Sequence, residues 1–179
     1  MRRLSWIVVG IALSFASQQL PFVNLARLAS PVDERPLMIR HDAKGDGQFG
    51  APRSGNRAHQ GVDIAAPLGS PVRAVRSGRV MVVAKHRGMG RYIELQHGSN
   101  LHSLYAHLSE SMVRPGQRVR QGQVIGSVGK TGNARHAWIA PHLHLEITRD
   151  GAPIDPATMG LALVAPQENT AIAQADVQD

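Results

Sequence analysis

Short apolar runs separated by turn signals fill the chain from residue 48 to residue 154. The turn signals combine glycine or proline with polar residues, at 67–70, 77–78, 87–90, 97–100 and 114–117. The runs between them are rich in β-branched residues, which fit a pleated, half-buried surface. We therefore predict a mostly β domain with strands over residues 80–83, 92–95, 101–105, 123–128 and 143–147.

The segments on either side lack this pattern. Residues 17–45 mix prolines and polar residues without a sustained period, which predicts a linker or a loosely packed lead-in. Residues 46–158 are predicted to form the folded domain, and the polar tail over residues 159–179 is predicted to be flexible. A chain of 179 residues has room for one such domain with a real core.

The N-terminus has the pattern of an export signal. Two arginines follow Met1, an apolar run extends from Leu4 to Ala16, and small residues stand at positions 14 and 16, where a signal peptidase reads them. The run is shorter than the roughly 20 residues that span a bilayer comfortably, so residues 1–16 are predicted to be a cleaved signal. An uncleaved membrane anchor is the alternative. Either way the protein is expected to be periplasmic or secreted.

The charge narrows the class of partner. The formal net charge of +7 comes mainly from arginine and predicts an anionic partner. Nucleic acid is disfavoured because the basic residues are scattered along the chain, aromatic residues are only 4%, and an exported chain rarely meets it. A partner outside the cytoplasm that bears free carboxylates fits better. The chain has no cysteine, which is consistent with export.

The residues that could carry chemistry lie in a few short strings. His142 and His144 alternate with leucines, which places both imidazoles on one face of the predicted strand. His59 and Asp63 are also an even number apart, with Gly61 between them, a residue without a side chain to crowd a metal. Two neutral imidazoles and one carboxylate can hold zinc with three protein ligands and leave the fourth position for water. Additional histidines could then supply acid–base catalysis near neutral pH.

Four strings carry a family resemblance. They are Phe-Gly-Ala-Pro-Arg at 49–53, His-Gln-Gly-Val-Asp-Ile-Ala-Ala-Pro at 59–67, Tyr-Ala-His-Leu at 105–108 and Pro-His-Leu-His-Leu-Glu at 141–146. In this order they resemble the lysostaphin/LytM-type zinc metallopeptidases, the beta-lytic endopeptidase family that cuts peptidoglycan peptides. The resemblance extends over about residues 49–156.

The resemblance implies a role for each matching residue. It implies one Zn²⁺ per chain, with His59, Asp63 and His144 as its ligands and His107 and His142 as the catalytic histidines. The implied function is that of an exported zinc-dependent metalloendopeptidase. Its partner would be peptidoglycan, whose stem or cross-link peptides it would hydrolyse by metal-activated water with histidine assistance.

A faint internal repeat bears on the fold. Residues 75–80 and 119–124 share the pattern Val-Arg-x-Gly-x-Val, which two halves of a duplicated β-sandwich would show. The second copy also resembles the turn-and-strand signature of biotinyl/lipoyl carriers, although Arg120-Gln121-Gly122 stands where a carrier has its modifiable lysine. We predict a single-domain, all-β antiparallel sandwich related to this duplicated hybrid motif, with an open zinc cleft.

Two departures from the family pattern and one alternative function remain. The segment 132–141 is longer than the usual loop before His-x-His, which bears on substrate preference, and no tyrosine stands between Phe49 and His59 to steady a tetrahedral intermediate. Some members of the family have lost these ligands and act as non-catalytic activators of other cell-wall hydrolases. The alternative function for this chain is accordingly that of a non-catalytic activator of a cell-wall amidase. This chain retains all the ligands, which favours activity. A lead-in that folds back over the fourth zinc position is a further hypothesis.

Other polar residues are candidates for supporting roles. Glu146 shares the face of His144 and could orient it or act as a general base. Arg53 and Asn56 precede the first ligand and could contact a substrate carboxylate or amide, and Trp138 could offer a stacking surface at the rim of the cleft. The remaining histidines carry no motif and are predicted to be ordinary surface or turn residues: His41, His86, His97, His102 and His136.

Overall fold

The computed structural model describes residues 27–42 and 45–165. Its strands are β1 (Leu37–Met38), β2 (His41–Asp42), β3 (Gly45–Asp46), β4 (Pro52–Arg53), β5 (Arg57–Ala58), β6 (Gly61–Ala65), β7 (Pro71–Arg73), β8 (Gly78–His86), β9 (Gly90–Gln96), β10 (Leu101–Ser111), β11 (Arg118–Val119), β12 (Val124–Val128), β13 (His142–Arg149), β14 (Ala152–Ile154) and β15 (Leu163–Val164). Two short 3₁₀ helices cover Gly132–Arg135 and Pro156–Met159. The predicted all-β antiparallel fold is confirmed, and the five predicted strands lie within or close to β8, β9, β10, β12 and β13.

The domain is built on a nine-stranded sheet, in which the long strand β10 pairs with three other strands. The path of the sheet runs β11-β8-β9-β10-β12-β7, and β13 adds to it by pairing with β10, β6 and β14. The first half of β10 pairs with β9 and β13, whereas Leu108 to Ser111 pair with β12. A register shift between Tyr105 and Leu108 separates the two halves. Such bulges bend a strand and re-aim its side chains.

The core lies against this sheet. Leucine, isoleucine and valine side chains from β6, β9, β10, β12 and β13 are fully buried, together with Tyr105. The repeated segments meet here: Val75 and Val119 are both buried, and β11 pairs with the start of β8. Among the residues of 27–42 and 45–165, no helix is long and apolar enough to cross a membrane.

The described part of the lead-in differs from the prediction. Leu28, Val32 and Leu37 are buried members of the core, and Arg40 is also buried. Their spacing follows no regular period because the backbone here bonds to neighbouring segments instead of forming one long strand; for example, the amide of Ala29 donates to the carbonyl of Val75. Residues 28–42 are therefore not loosely packed.

The start of the predicted C-terminal tail is also ordered. Leu161 is buried, and β15 pairs in parallel with β1 of the lead-in. Burial of an apolar side chain and pairing with another short strand hold this part of the chain in place. The predicted signal over residues 1–16 and the tail beyond residue 165 lie outside the described residues, so both remain predictions.

Candidate metal centre and active site

Two paired strands bring the three predicted ligands together. Asp63 on β6 is directly opposite His144 on β13 in the antiparallel register, and His59 lies just before β6. His144 Nδ1 is 2.7 Å and His59 Nε2 is 3.3 Å from Asp63 Oδ1, and the two nitrogens are 3.1 Å apart. All three side chains are buried. The pairing of β6 with β13 thus brings together Asp63 and His144, which are 81 positions apart in the sequence.

Each imidazole is oriented by a partner on its outer side. His59 Nδ1–H donates to the carbonyl oxygen of Gln48 at 2.8 Å, so that Nε2 faces the cluster. His144 Nε2–H donates to Glu146 Oε1 at 2.9 Å, so that Nδ1 faces it. Metal-binding histidines characteristically donate their other N–H to a carboxylate or a carbonyl. Two imidazole nitrogens and one carboxylate oxygen within 4.8 Å of one another form a donor set that fits zinc.

The charges of the cluster are strongly coupled. Burial would raise the pKa of Asp63, but hydrogen bonds from His144 and His59 outweigh it and hold that pKa well below its usual range. Burial would lower the pKa of His144, yet the carboxylates of Asp63 and Glu146 raise it to about 9. Without a metal, His144 therefore carries two N–H protons at neutral pH. A metal that binds Nδ1 must displace one of them, which makes binding dependent on pH.

His142 stands beside the cluster on the same face of β13 as His144. Its Nδ1–H donates to the carbonyl oxygen of Ala140 at 2.7 Å, and its Nε2 is 3.9 Å from Asp63 Oδ1. Burial lowers its pKa. The imidazole is consequently neutral near pH 7, with Nε2 available as a proton acceptor.

His107 reaches the same place from the bulge of β10. Its backbone has a φ of 62°, in the left-handed region that favours glycine, which points to a position fixed by its surroundings. Its Nδ1–H donates to the carbonyl oxygen of Thr131 at 2.9 Å, and its ring centroid is 5.0 Å from that of His142. Burial lowers its pKa to about 3. His107 and His142 therefore form a pair of neutral imidazoles next to the cluster.

Gly61 has a different role from the predicted one. A Cβ at this position would lie 2.4 Å from the carbonyl oxygen of Leu145 and 2.8 Å from Cγ of Glu146. The missing side chain therefore allows β13 to approach β6, and it does not leave space for a metal or substrate. The prediction of an open face at Gly61 was wrong because the residue's Cα faces the neighbouring strand.

The cluster opens into a cleft of about 930 Å³. Arg53 lines it, donates from Nη1 to the carbonyl oxygen of Asp46 at 2.9 Å, and places Nη2 3.6 Å from Asp63 Oδ2. Trp138 also lines the cleft, is 56% exposed, and stacks on His136 with ring centroids 4.9 Å apart. Asn56 lies in the exposed turn between β4 and β5, outside the residues that line the cleft.

The histidines predicted to be ordinary divide into three groups. His41 is exposed and His102 is half-buried, while His86 and His136 line the cleft. His97 lies at the turn between β9 and β10, as predicted, but it is not a surface residue, because it is buried and bonds to Ser77 and Ser103. Its position just after β9 gave no hint of burial. Here the imidazole connects two polar groups inside the domain.

Sequence reasoning missed several residues that support the site. Arg40 donates from Nη2 to Asp63 Oδ2 at 2.9 Å and also contacts Asp42. The carbonyl groups of Gln48, Thr131 and Ala140 orient three of the histidines. Backbone carbonyls carry no side-chain signal, so only the folded structure shows these contacts.

Comparisons with known proteins identify the family of the chain. Residues 57–156 match the family described as Peptidase family M23. The peptidoglycan DD-endopeptidase ShyB of Vibrio cholerae is 39% identical over 97 residues, which cover 54% of this chain and 22% of that protein. The matched region is thus about a fifth of the relative's length.

Two solved structures are similar in fold. A zinc-containing peptidase from Vibrio cholerae superposes with a TM-score of 0.61 at 33% identity, covering 74% of this chain and 40% of that one. The catalytic domain of the antimicrobial peptidase lysostaphin from Staphylococcus simulans superposes with a TM-score of 0.55 at 31% identity, covering 65% of this chain and 90% of that domain. The chain belongs to peptidase family M23, which confirms its resemblance to the lysostaphin/LytM-type zinc metallopeptidases.

Proposed function

We propose that this chain is a zinc-dependent endopeptidase that hydrolyses peptide bonds in the stem or cross-link peptides of peptidoglycan. The observation that carries the proposal is the convergence of two sets of side chains at one end of the cleft. The set formed by His59, Asp63 and His144 offers a metal three ligand atoms. The set formed by His107 and His142 stands next to it, with both Nδ1 atoms engaged by backbone carbonyls.

The ligand set is that of a catalytic metal, because three protein ligands leave the fourth coordination position free for water or substrate. His59 Nε2, His144 Nδ1 and Asp63 Oδ1 would hold one Zn²⁺, which when bound polarises a carbonyl oxygen and lowers the pKa of water to about 7. Glu146 accepts the Nε2–H of His144 and so keeps that ring turned toward the cluster. Arg40 neutralises the second oxygen of Asp63.

The two remaining histidines supply proton transfer. Each is neutral near pH 7 because burial lowers its pKa, and each has its Nε2 left for the cleft by the hydrogen bond at Nδ1. A neutral imidazole can accept a proton from the attacking water and return it to the leaving amine. Its charged form can also donate a hydrogen bond to the developing oxyanion.

The substrate assignment is supported by charge and by the relatives. Arg53 and Arg57 line the cleft, and a positively charged cleft suits peptides that bear free carboxylates. ShyB is named as a peptidoglycan DD-endopeptidase. Peptidoglycan lies outside the cytoplasm, which agrees with the export signal predicted over residues 1–16. We therefore propose that the protein acts in the periplasm or outside the cell.

The test is mass spectrometry of soluble fragments released from purified sacculi. Zinc-loaded protein is compared with protein treated with a chelator, and His144→Ala with His102→Gln, a control that changes a histidine outside the cleft lining. We expect fragments with newly freed amino groups from the zinc-loaded wild type and the control, and none from the chelated protein or His144→Ala. The fragments would also identify the bond.

The alternative is a non-catalytic activator of a cell-wall amidase. Folded, zinc-loaded protein that released no fragment alone, but increased glycan-strand release by an added amidase, would favour that function. The alternative does not require the metal ligands, so His144→Ala should then retain the effect. Endopeptidase activity requires them, and the two functions are thereby separated.

A further inference from the structure

The lead-in is bonded directly to a residue of the proposed metal site. At the edge of β6 away from β13, the Asp63 amide donates to the carbonyl of Gly47 at 2.9 Å, and the Asp63 carbonyl accepts from the amide of Arg40 at 2.8 Å. Gly47 in turn donates to the carbonyl of Arg40 at 2.8 Å, and an antiparallel bridge joins Ile39 to Ile64. Both backbone polar groups of Asp63 are therefore held by one segment, described over residues 39–42 and 45–47, through Arg40 and Gly47.

The contact depends on a residue without a side chain. A Cβ on Gly47 would lie 2.8 Å from both the carbonyl oxygen of Arg40 and Cβ of Asp63. Contacts this short do not occur, so a larger residue would push the segment away from Asp63. The short strands β2 and β3 form a small antiparallel pair in this segment, and β2 follows Arg40 directly.

The two carboxylate oxygens of Asp63 have different partners, because Arg40 binds only one of them. Its Nη2 donates to Oδ2 at 2.9 Å, whereas Oδ1 faces His144 and His59. Its Nη1 lies 2.6 Å from Oδ1 of Asp42, and its side chain is only 6% exposed. A planar guanidinium can hold two carboxylates at once in a fixed geometry. The rotation of the Asp63 carboxylate is thereby restricted, with Oδ1 kept for a metal.

Asp42 extends this connection to His142. Its Oδ2 accepts a hydrogen bond from the amide of Ala140 at 3.0 Å, and the carbonyl of Ala140 accepts from His142 Nδ1–H at 2.7 Å. A continuous path of hydrogen bonds and ion pairs thus leads from Asp63 through Arg40, Asp42 and Ala140 to His142. The two side chains in its middle lie in the lead-in.

We propose that Arg40 and Asp42 are positioning residues, which fix a metal ligand and a catalytic histidine relative to each other through the ion pair between a buried guanidinium and a partly buried carboxylate. This inference rests on the proposed function. Arg40 sets the orientation of Asp63, and Asp42 sets the peptide group that orients His142. Neither side chain transfers a proton or contacts the reacting atoms.

The experiment uses the whole chain with Arg40→Met, Arg40→Lys and Asp42→Asn. The matched control is Asp33→Asn, which breaks an exposed ion pair of the same lead-in, where Asp33 accepts from Arg73 Nε at 2.7 Å. Zinc affinity is measured by competition with a chelating dye, and kcat and KM are measured on a peptidoglycan fragment. Amide exchange of Ala140 and the ¹⁵N shifts of the His142 ring are measured by NMR in the metal-free protein.

Different losses are expected from the variants. Arg40→Met should weaken zinc binding about 10–100-fold, the usual effect of removing a partner of a ligand, and Arg40→Lys should recover part of it. Asp42→Asn should lower kcat with little change in KM and should accelerate Ala140 exchange, because one amide oxygen cannot serve both former partners. Asp33→Asn should leave zinc affinity, kcat and Ala140 exchange unchanged.

A purely structural role would give another pattern. Variants that only unfold at lower temperature, with wild-type zinc affinity, kcat, Ala140 exchange and His142 ring shifts, would overturn the inference. If the wild type bound zinc but cleaved no peptide, the proposed function would fail. The zinc affinity and the amide exchange of Ala140 in the variants would still decide whether Arg40 and Asp42 are positioning residues. If the wild type bound no zinc, Ala140 exchange and the His142 shifts in Asp42→Asn would decide it.

Discussion

Replacing Gly61 by alanine should disturb the metal site through the backbone. The added Cβ would lie 2.4 Å from the carbonyl oxygen of Leu145 and 2.9 Å from its carbonyl carbon. Real Cβ atoms essentially never come within 3.0 Å of such neighbours, and backbone atoms of a paired strand cannot turn aside as a side chain can. Strand β6 must therefore move away from β13.

The size of the effect follows from the register. Gly61 is opposite Glu146, and two residues further along Asp63 is opposite His144, so the displaced strand carries a ligand with it. Overpacking of this kind costs about 1–3 kcal/mol of the free energy of unfolding. The lost alignment of Asp63 with His144 should weaken zinc binding as well, so zinc should add less to the free energy of unfolding than it adds in the wild type.

The assay is urea denaturation of Gly61→Ala with and without zinc. Gly98→Ala is the matched control because a Cβ there meets no atom within 4 Å. We expect the control to stay within about 0.5 kcal/mol of the wild type, as surface substitutions usually do. A Gly61→Ala protein with wild-type stability and zinc affinity would refute the close approach of β6 and β13.

Three further predictions concern catalysis, pH and the lead-in. His144→Ala should lose both zinc and turnover, whereas His142→Ala should keep zinc and lose about 10²–10⁴-fold in kcat, as metal analysis and kinetics would show; equal activity in either variant would remove the mechanism. Burial lowers the pKa of His97, so the unfolded chain takes up a proton first as pH falls below about 6.5, and stability should decrease there. His97→Gln should flatten that part of the curve of unfolding free energy against pH, and an unchanged slope would contradict the reasoning. A chain starting at Asp46 should be far less stable than one starting at Ser17, measured by thermal unfolding, because it lacks the core residues of the lead-in; equal stability would be the contrary result.

Period and motif were sufficient to predict the main strands and the residues that meet at the cluster. Strict alternation through His142 and His144 predicts that both side chains lie on one face of a strand, and both residues lie in β13, where that alternation places them on the same face. The partner strand was predictable only through the family motif, because the pairing of Asp63 with His144 depends on a register that no local pattern encodes. His107 was found by its motif, whereas the positive φ that aims it was not.

The lead-in shows why the rest could not be predicted from pattern. A period is visible only where successive residues belong to one regular element. Leu28, Val32 and Leu37 are all buried in the core, but the backbone around them bonds to different neighbouring segments. Arg40 is a charged residue, and charged residues are rarely buried unless they are paired. Its partner Asp63 is 23 positions away in the sequence. Local spacing therefore gives no sign that the two charged side chains form a pair, and Arg40 looks like an ordinary solvent-exposed residue. A strand that carries a metal ligand can leave two groups in need of a partner: the backbone groups along its free edge, and the carboxylate oxygen that does not face the metal. A segment outside the motif region that supports a metal site is therefore best sought where a charged residue can lie against that edge.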